Sequence, residues 1–205
     1  MKLIPLGILS LVLIGVACWL IFSNILEKTS TSQQTTTPSP LAPPNEPSQI
    51  DLGASGSSYL DEKGIFSILY PNDYTLDTQD IKHIRIYKRG VTQRPQSEMS
   101  DGVLIVFETI DLQGETLENW VNSRIKESTA DGTSEVVEPK KSIIQNEYPG
   151  FSYALRGLGT SKNLALQKDD KSNYAVVITY AVSDPKQNGY QNEVNKVLSS
   201  IKLLK

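Results

Sequence analysis

The apolar residues of this chain fall into three regimes. From Leu3 to Phe22 they run unbroken, LIPLGILSLVLIGVACWLIF, with no charge inside. A helix rises ~1.5 Å per residue, so such a run matches the roughly 30 Å hydrocarbon core of a bilayer. It also satisfies its own backbone where no water is available. The pattern predicts one transmembrane helix within an anchor segment, residues 1–28. From 29 to 58 the pattern vanishes into TSTSQQTTTPSP, Pro43-Pro44, Pro47 and the GASGSS ending at Ser58. No core can form there to offset the ordering entropy, so a disordered, semi-extended linker is expected. From 59 to 205 short periodic segments return and predict one folded domain.

Within that domain, Ile65 to Tyr70 reads as a strand stopped by Pro71-Asn72-Asp73, with a short strand following at Tyr74 to Leu76. Lys82 to Lys88 alternates Ile84 and Ile86 with His83, Arg85 and Tyr87, the period of a half-buried strand. Arg89 to Asp101 reads as loop, and Val103 to Ile110 as a central strand. A helix is expected from an N-cap at Thr116, with Leu117, Trp120, Val121 and Ile125 on one face, ending near Asp131-Gly132. Strands follow at Ser142 to Asn146, Phe151 to Arg156 and Asn163 to Lys168, with a turn at Glu147 to Gly150. Tyr174 to Val182 is the most strand-like run. A last helix is expected from Asp184-Pro185, with an apolar stripe through Tyr190, Val194, Val197, Leu198 and Ile201, and with Lys202 and Lys205 at its C-terminal end. Strands grouped between two helices, without βαβ alternation, predict an α+β fold: an antiparallel β-sheet flanked by helices.

An opening strand closed by Tyr-Pro (Ile68 to Pro71), a mid-chain helix carrying Trp120, and a final strand and helix ending VLSSIKLL resemble the PsbP-like superfamily. Asp73-Tyr74 stands where that family commonly has a tryptophan. The resemblance covers about Tyr59 to Leu204 and implies an α/β/α sandwich around an antiparallel sheet. It supplies no active-site residue to carry over, and a shared fold does not transfer a function.

Composition narrows the chemistry. Net charge is −3, with 20 Lys and Arg mixed among 23 Asp and Glu, so no nucleic-acid footprint is expected. The single cysteine, Cys18, lies in the apolar run and leaves the domain without disulfide, thiol nucleophile or thiolate metal site. Ile14-Gly15-Val16-Ala17-Cys18 resembles a lipobox, in which Cys18 would be lipidated. Against that, Trp19 to Phe22 continues the apolar run, which favours an uncleaved signal anchor. Either reading puts the domain at a membrane surface, outside the cytoplasm.

Candidate chemistry is sparse. His83, Arg85, Tyr87 and Arg89 share one strand face, either a cationic strip for an anionic group or partner, or the solvent face of an edge strand. His83 is the only imidazole, and no Gly-x-Ser-x-Gly elbow marks a nucleophile for it. Ser123 to Lys126 and Ser199 to Lys202 match Ser-x-x-Lys, without the Ser-Asp-Asn and Lys-Thr-Gly elements such enzymes need. Asp169-Asp170, or Asp77 with Asp80, lack EF-hand spacing, and acidic turn residues more often cap backbone amides. No metal and no cofactor are expected. The tyrosines Tyr70, Tyr74, Tyr87, Tyr148, Tyr153, Tyr174 and Tyr180 line either a binding patch or, for most, the core and rim of the sheet. The expectation is a non-enzymatic domain, held to the bilayer through residues 3–22, that binds a protein partner as an accessory or assembly factor of an envelope complex. The alternatives are a hydrolase using His83 and a small-ligand carrier, the latter marked by an apolar cavity of ~300 Å³ or more.

Overall fold

The computed structural model describes residues 56–80, 82–94 and 99–205. The anchor reading of Leu3 to Phe22, the lipidation reading of Cys18 and the linker reading up to residue 55 lie outside the described residues. Among the described residues no helix is long and apolar enough to cross a membrane.

The two most β-branched runs of the chain pair with each other. Strand β5 (Gly102–Asp111) lies antiparallel to β9 (Tyr174–Ser183), from Gly102 opposite Ser183 to Asp111 opposite Tyr174 without a register break. Around this pair the remaining strands are β1 (Gly56–Leu60), β2 (Phe66–Pro71), β3 (Thr75–Asp77), β4 (His83–Arg89), β6 (Glu135–Gln145), β7 (Tyr148–Arg156), β8 (Thr160–Gln167) and β10 (Lys202–Leu203). The helices are α1 (Leu117–Thr129) and α2 (Tyr190–Ser199). Seven strands form a large antiparallel sheet in the order β3-β4-β5-β9-β8-β7-β6, and β1-β2-β10 form a small one.

Strand alternation gives the large sheet two apolar faces. On one, Ile84, Ile86, Val103, Ile105, Phe107, Val176 and Ile178 meet Phe66 and Ile68 of the small sheet and Val194, Val197 and Leu198 of α2. The Phe66 and Phe107 rings stack there, 5.6 Å between centroids. On the other, Ile110, Tyr153, Ala165, Ala175 and Val177 pack beneath Leu117 and Val121 of α1. Each fully buried aliphatic or aromatic side chain stabilises the fold by roughly 1.5–3 kcal/mol relative to exposure. The helices therefore lie on opposite faces of an antiparallel sheet. Helix α1 packs on β6, β7 and β8 and over the Ile110 end of β5 and the Ala175 end of β9; among the described residues no other helix lies on its side of β3, β4 and β5. The small sheet beside α2 was not expected.

Several local expectations need correction. Gly56, Ser57 and Ser58, assigned to the linker, are strand residues opposite Pro71, Tyr70 and Leu69. Strand β6 starts at Glu135 rather than Ser142, because an edge strand tolerates Pro139 and two register shifts. The reversal expected at Glu147 to Gly150 is made by Asn146 and Glu147, at φ 51° and 70°. Tyr148, Pro149 and Gly150 already belong to β7.

Helix α2 begins at Tyr190, not at Asp184-Pro185, yet Asp184 still caps it. Its carboxylate accepts from the backbone amides of Asn188 (2.7 Å), Gly189 (2.8 Å) and Tyr190 (3.2 Å) across a turn that Gly189 closes at φ 83°. The helix stops at Ser199. Lys202 is therefore in β10, and Lys205 donates to the Lys63 carbonyl, so neither sits on a helix end. Helix α1 matches expectation: the Thr116 hydroxyl accepts from the Asn119 amide (3.3 Å), and Gly132 takes a left-handed φ of 74° just beyond.

Candidate functional site

Strand β4 presents His83, Arg85, Tyr87 and Arg89 on the same face as α1, opposite the buried Ile84 and Ile86. It is not an edge: β3 pairs with Arg85 to Tyr87 on one side and β5 runs along the other. Cross-strand register then sets one row over this face, Asp77, Arg85, Val106, Thr179, Asn163 and Tyr153, whose far end lies under α1. In the open half, Tyr87, Leu104, Val106, Thr179 and Ala181 are half-buried.

Acidic side chains stand beside the basic ones on this face. His83 Nδ1 lies 2.7 Å from Asp80 Oδ2, and its Nε2 lies 3.9 Å from Glu108. A carboxylate can only accept, so Nδ1 carries the proton and donates to Asp80. That hydrogen bond, followed by one from the Lys82 amide, holds the Asp80 carboxyl below the ordinary carboxylate range. Arg85 lies 3.7 Å from Asp77 and 3.9 Å from Asp80, and Arg124 of α1 lies 3.9 Å from Glu108. Three acids thus offset Arg85, Arg124 and the imidazole. Arg89 stacks over the Tyr87 ring, 5.7 Å from its centroid.

An imidazole oriented by an aspartate is half of a nucleophile-activating arrangement. The other half is not assembled, since Nε2 faces the Glu108 carboxylate rather than a hydroxyl. Ser123 and Lys126 stand one turn apart on α1 but both are exposed to solvent, and Ser199 and Lys202 lie on different elements. Asp77, Asp80 and Asp169 accept from the backbone amides of Gln79, Lys82 and Lys171, the turn-capping role. Among the described residues no group of three or more His, Cys, Asp and Glu has metal-holding geometry.

Of the tyrosines, Tyr70, Tyr74 and Tyr153 are buried, while Tyr148, Tyr174 and Tyr180 pack against the α2-side core. Tyr87 alone of that set reaches the open face. Burial raises the Tyr153 hydroxyl pKa; Arg124 opposes this and Glu108 adds to it.

Two features escaped sequence reading. Lys88 is in phase with Ile84 and Ile86, so it points to the α2 side. Its ammonium lies 2.8 Å from Asp73 and 3.0 Å from Glu193, with the Tyr74 and Tyr190 rings 5.6 and 5.4 Å away. Burial opposes its charge, but the hydrogen bonds to Asp73 and Glu193 win and raise its pKa. Tyr74 donates to Glu193 (2.8 Å), and burial plus that bond hold its proton well above the ordinary tyrosine range. A charge in phase with two isoleucines was the available signal.

The second feature is a cleft of about 580 Å³ at the start of α1. Phe151, Pro149, Ile144 and Leu112 wall it, with Glu115 and Asp170 on its rim. Four separate chain segments build it, so no local motif announces it.

No family model matches this sequence, and no curated protein matches it. Solved structures are similar to it, among them the following three. The solution structure of cyanobacterial PsbP (CyanoP) from Synechocystis sp. PCC 6803 is 14% identical, covering 75% of this chain and 95% of its own, with a TM-score of 0.47. The Saccharomyces cerevisiae Ran-binding protein Mog1p is 10% identical, covering 73% and 95%, with a TM-score of 0.45. A crystal structure from Bacteroides thetaiotaomicron VPI-5482 is 13% identical over 74% of this chain, with a TM-score of 0.43, and the match spans about half, 49%, of that protein.

Proposed function

We propose that this chain is a membrane-tethered, extracytoplasmic domain of PsbP-like α/β/α architecture that binds a partner protein, as an accessory or assembly factor of an envelope complex, and is not an enzyme. The observation that carries the reading is the half of the large sheet left without a helix. Tyr87, Leu104, Val106 and Ala181 form a half-buried apolar centre there, bordered along one side by the Asp77, Arg85, Asp80, His83, Glu108 and Arg124 charges. An apolar centre with a polar rim is the anatomy of a docking surface, and paired rim charges set register and exclude wrong partners more than they add affinity. The carboxylates on both nitrogens of His83 support recognition over hydrolysis.

The test is site-specific photo-crosslinking in intact cells, with the crosslinker at Tyr87 and, as control, at exposed Lys141 on the far edge. A discrete protein adduct from Tyr87 alone, abolished by Val106→Glu in a folded chain, is the expected result. An adduct indifferent to Val106→Glu, or a hydrolase turnover that His83→Ala abolishes, overturns it. A second reading, a small-ligand carrier, is favoured by the 580 Å³ cleft, whose size suits a small ligand. Calorimetric uptake of an apolar amine, lost in Phe151→Ala and unaffected by Val106→Glu, would favour it.

A further inference from the structure

The outer face of the small sheet is apolar where a solvent face has no reason to be. Tyr59, Phe66, Ile68 and Leu203 turn inward, so Leu60, Ser67, Leu69 and Lys202 turn outward by alternation. Leu60, Ser67 and Lys202 form one row across the three strands, and Leu69 sits in the next. Leu204 follows Lys202 on the same side, its amide donating to the Ile65 carbonyl at 2.7 Å. These leucines are 60%, 44% and 43% exposed at positions 60, 69 and 204. Beside Leu69 a cleft of about 300 Å³ opens, walled by Tyr148, Ile201 and Lys202.

Lysines border this face. Lys168 donates to the Leu204 carbonyl (3.0 Å) and Lys205 to the Lys63 carbonyl, which gathers both beside Lys63 and Lys202. Nearby Asp61 is buried and spent on the Lys63 and Ile65 amides. In a chain of net charge −3, a leucine patch with four lysines at its margin, against Asp61 and the exposed Glu62, is a local excess of positive charge.

We infer that this face rests on an anionic lipid surface, as a second contact between the chain and its membrane. The inference rests on the tether proposed above. Apolar side chains entering the interface, with lysines at headgroup level, is how a folded surface holds to anionic lipid. The chain enters the domain through β1, a strand of this same sheet. A flexible chain of the length between residues 29 and 55 would span roughly 30 Å, which would keep a face at the start of the domain within reach of the bilayer in the tether proposed above. A tether raises the effective concentration of lipid at this face, so a patch too weak to bind free in solution holds once tethered.

The experiment uses the full chain with Cys18→Ser, inserted in vesicles of phosphatidylcholine with phosphatidylglycerol. Single cysteines replace Leu69, Leu204 or, as exposed apolar controls, Val91 or Leu158, and carry an environment-sensitive fluorophore read by quenching from nitroxide lipids. Several-fold stronger quenching at 69 and 204 than at 91 and 158 is expected. Raising salt from 0.1 to 1 M cuts the screening length from ~10 to ~3 Å, and should weaken the quenching at 69 and 204 without any variant. Lys202→Glu with Lys205→Glu should do the same at low salt. Equal quenching at all four sites, or none while the chain still floats with the vesicles, overturns this inference and leaves the tether standing. Quenching at 69 and 204 indifferent to salt and to both charge reversals overturns it too. Failure to float overturns the tether and this inference together.

Discussion

Replacing Lys88 by methionine tests whether the α2 side of the fold is held by a charge as well as by its apolar core. Methionine keeps the apolar stem and removes the ammonium, so the change isolates the ion pairs. At 2.8 to 3.0 Å and an effective dielectric of ~20, each attraction is about 6 kcal/mol before desolvation is subtracted. Desolvation cancels most of that. The side chains are 21% exposed for Lys88, 29% for Glu193 and 59% for Asp73, so the cluster stands between the surface case, ~0–1 kcal/mol, and the buried case, ~3–5 kcal/mol. The expected loss is about 2 kcal/mol, which in a domain of this size lowers Tm by roughly 4–8 °C. Because the folded pKa of Lys88 is raised, its contribution is complete at neutral pH and is lost as pH climbs through that value. Wild-type and Lys88→Met curves should therefore converge only at strongly alkaline pH. Urea denaturation of both, of Glu193→Gln and of the double variant gives the coupling, expected at about 1–2 kcal/mol. A Lys88→Met chain as stable as wild type, or more stable, would mean that desolvation outweighs the pairing and that β2, β4 and α2 are held by apolar packing alone.

Three further outcomes follow from the geometry. Asp184→Ala removes the carboxylate that accepts from three backbone amides at the start of α2 and should lower stability by about 1–2 kcal/mol, read as a shifted urea midpoint at unchanged m. Gly150→Ala puts a Cβ 2.1 Å from the Ala165 carbonyl oxygen, so β7 must separate from β8; a loss of at least ~2 kcal/mol is expected in the same assay, and a neutral result refutes it. The Thr92 hydroxyl, then its amide, lower the Asp101 pKa, so its contribution is present above the ordinary carboxylate value of ~3.9 and is lost as pH falls through the folded one. Asp101→Asn should flatten that acid limb in melting temperatures taken across pH 2 to 5.

What could be read beforehand was whatever depends on neighbouring residues. The β5 and β9 runs, the Thr116 cap and the Leu117–Val121 stripe carry their burial in side-chain identity, and they formed as expected. Strand β1 carries none: Gly56, Ser57 and Ser58 join a sheet because β2 offers backbone partners, and a ladder of amides is blind to side chains. The start of α2 was misplaced because a capping carboxylate need not be adjacent; Asp184 reaches Tyr190 over a turn. On β4 the alternation identified the right face. It could not say that β3 would cover the edge, or that Asp80 and Glu108 would neutralise it, since those partners come from the β3–β4 turn and from β5.

The proposed partner has to read side chains rather than add a strand, because both edges of the large sheet are closed to strand addition. At one edge β3 offers only Thr75 to Asp77, too short a ladder to template another strand. At the other, β6 carries Pro139, which donates no amide, two register shifts that bend it, and Lys140 and Lys141, which repel a second copy of the same edge. Lys140 is further held by Glu118 (2.7 Å) and Asn122 (2.8 Å) of α1 and lies over the Phe151 ring, so the helix clasps the edge it covers. With the edges blunted, one face covered by α2 and the small sheet, and the β6 to β8 half of the other covered by α1, the surface of this sheet that the described residues leave open is the Tyr87, Leu104 and Val106 half. A proline placed in β3 should then leave partner capture unchanged, whereas a charge at Val106 should abolish it. The reverse pattern would move recognition from the face to the edge.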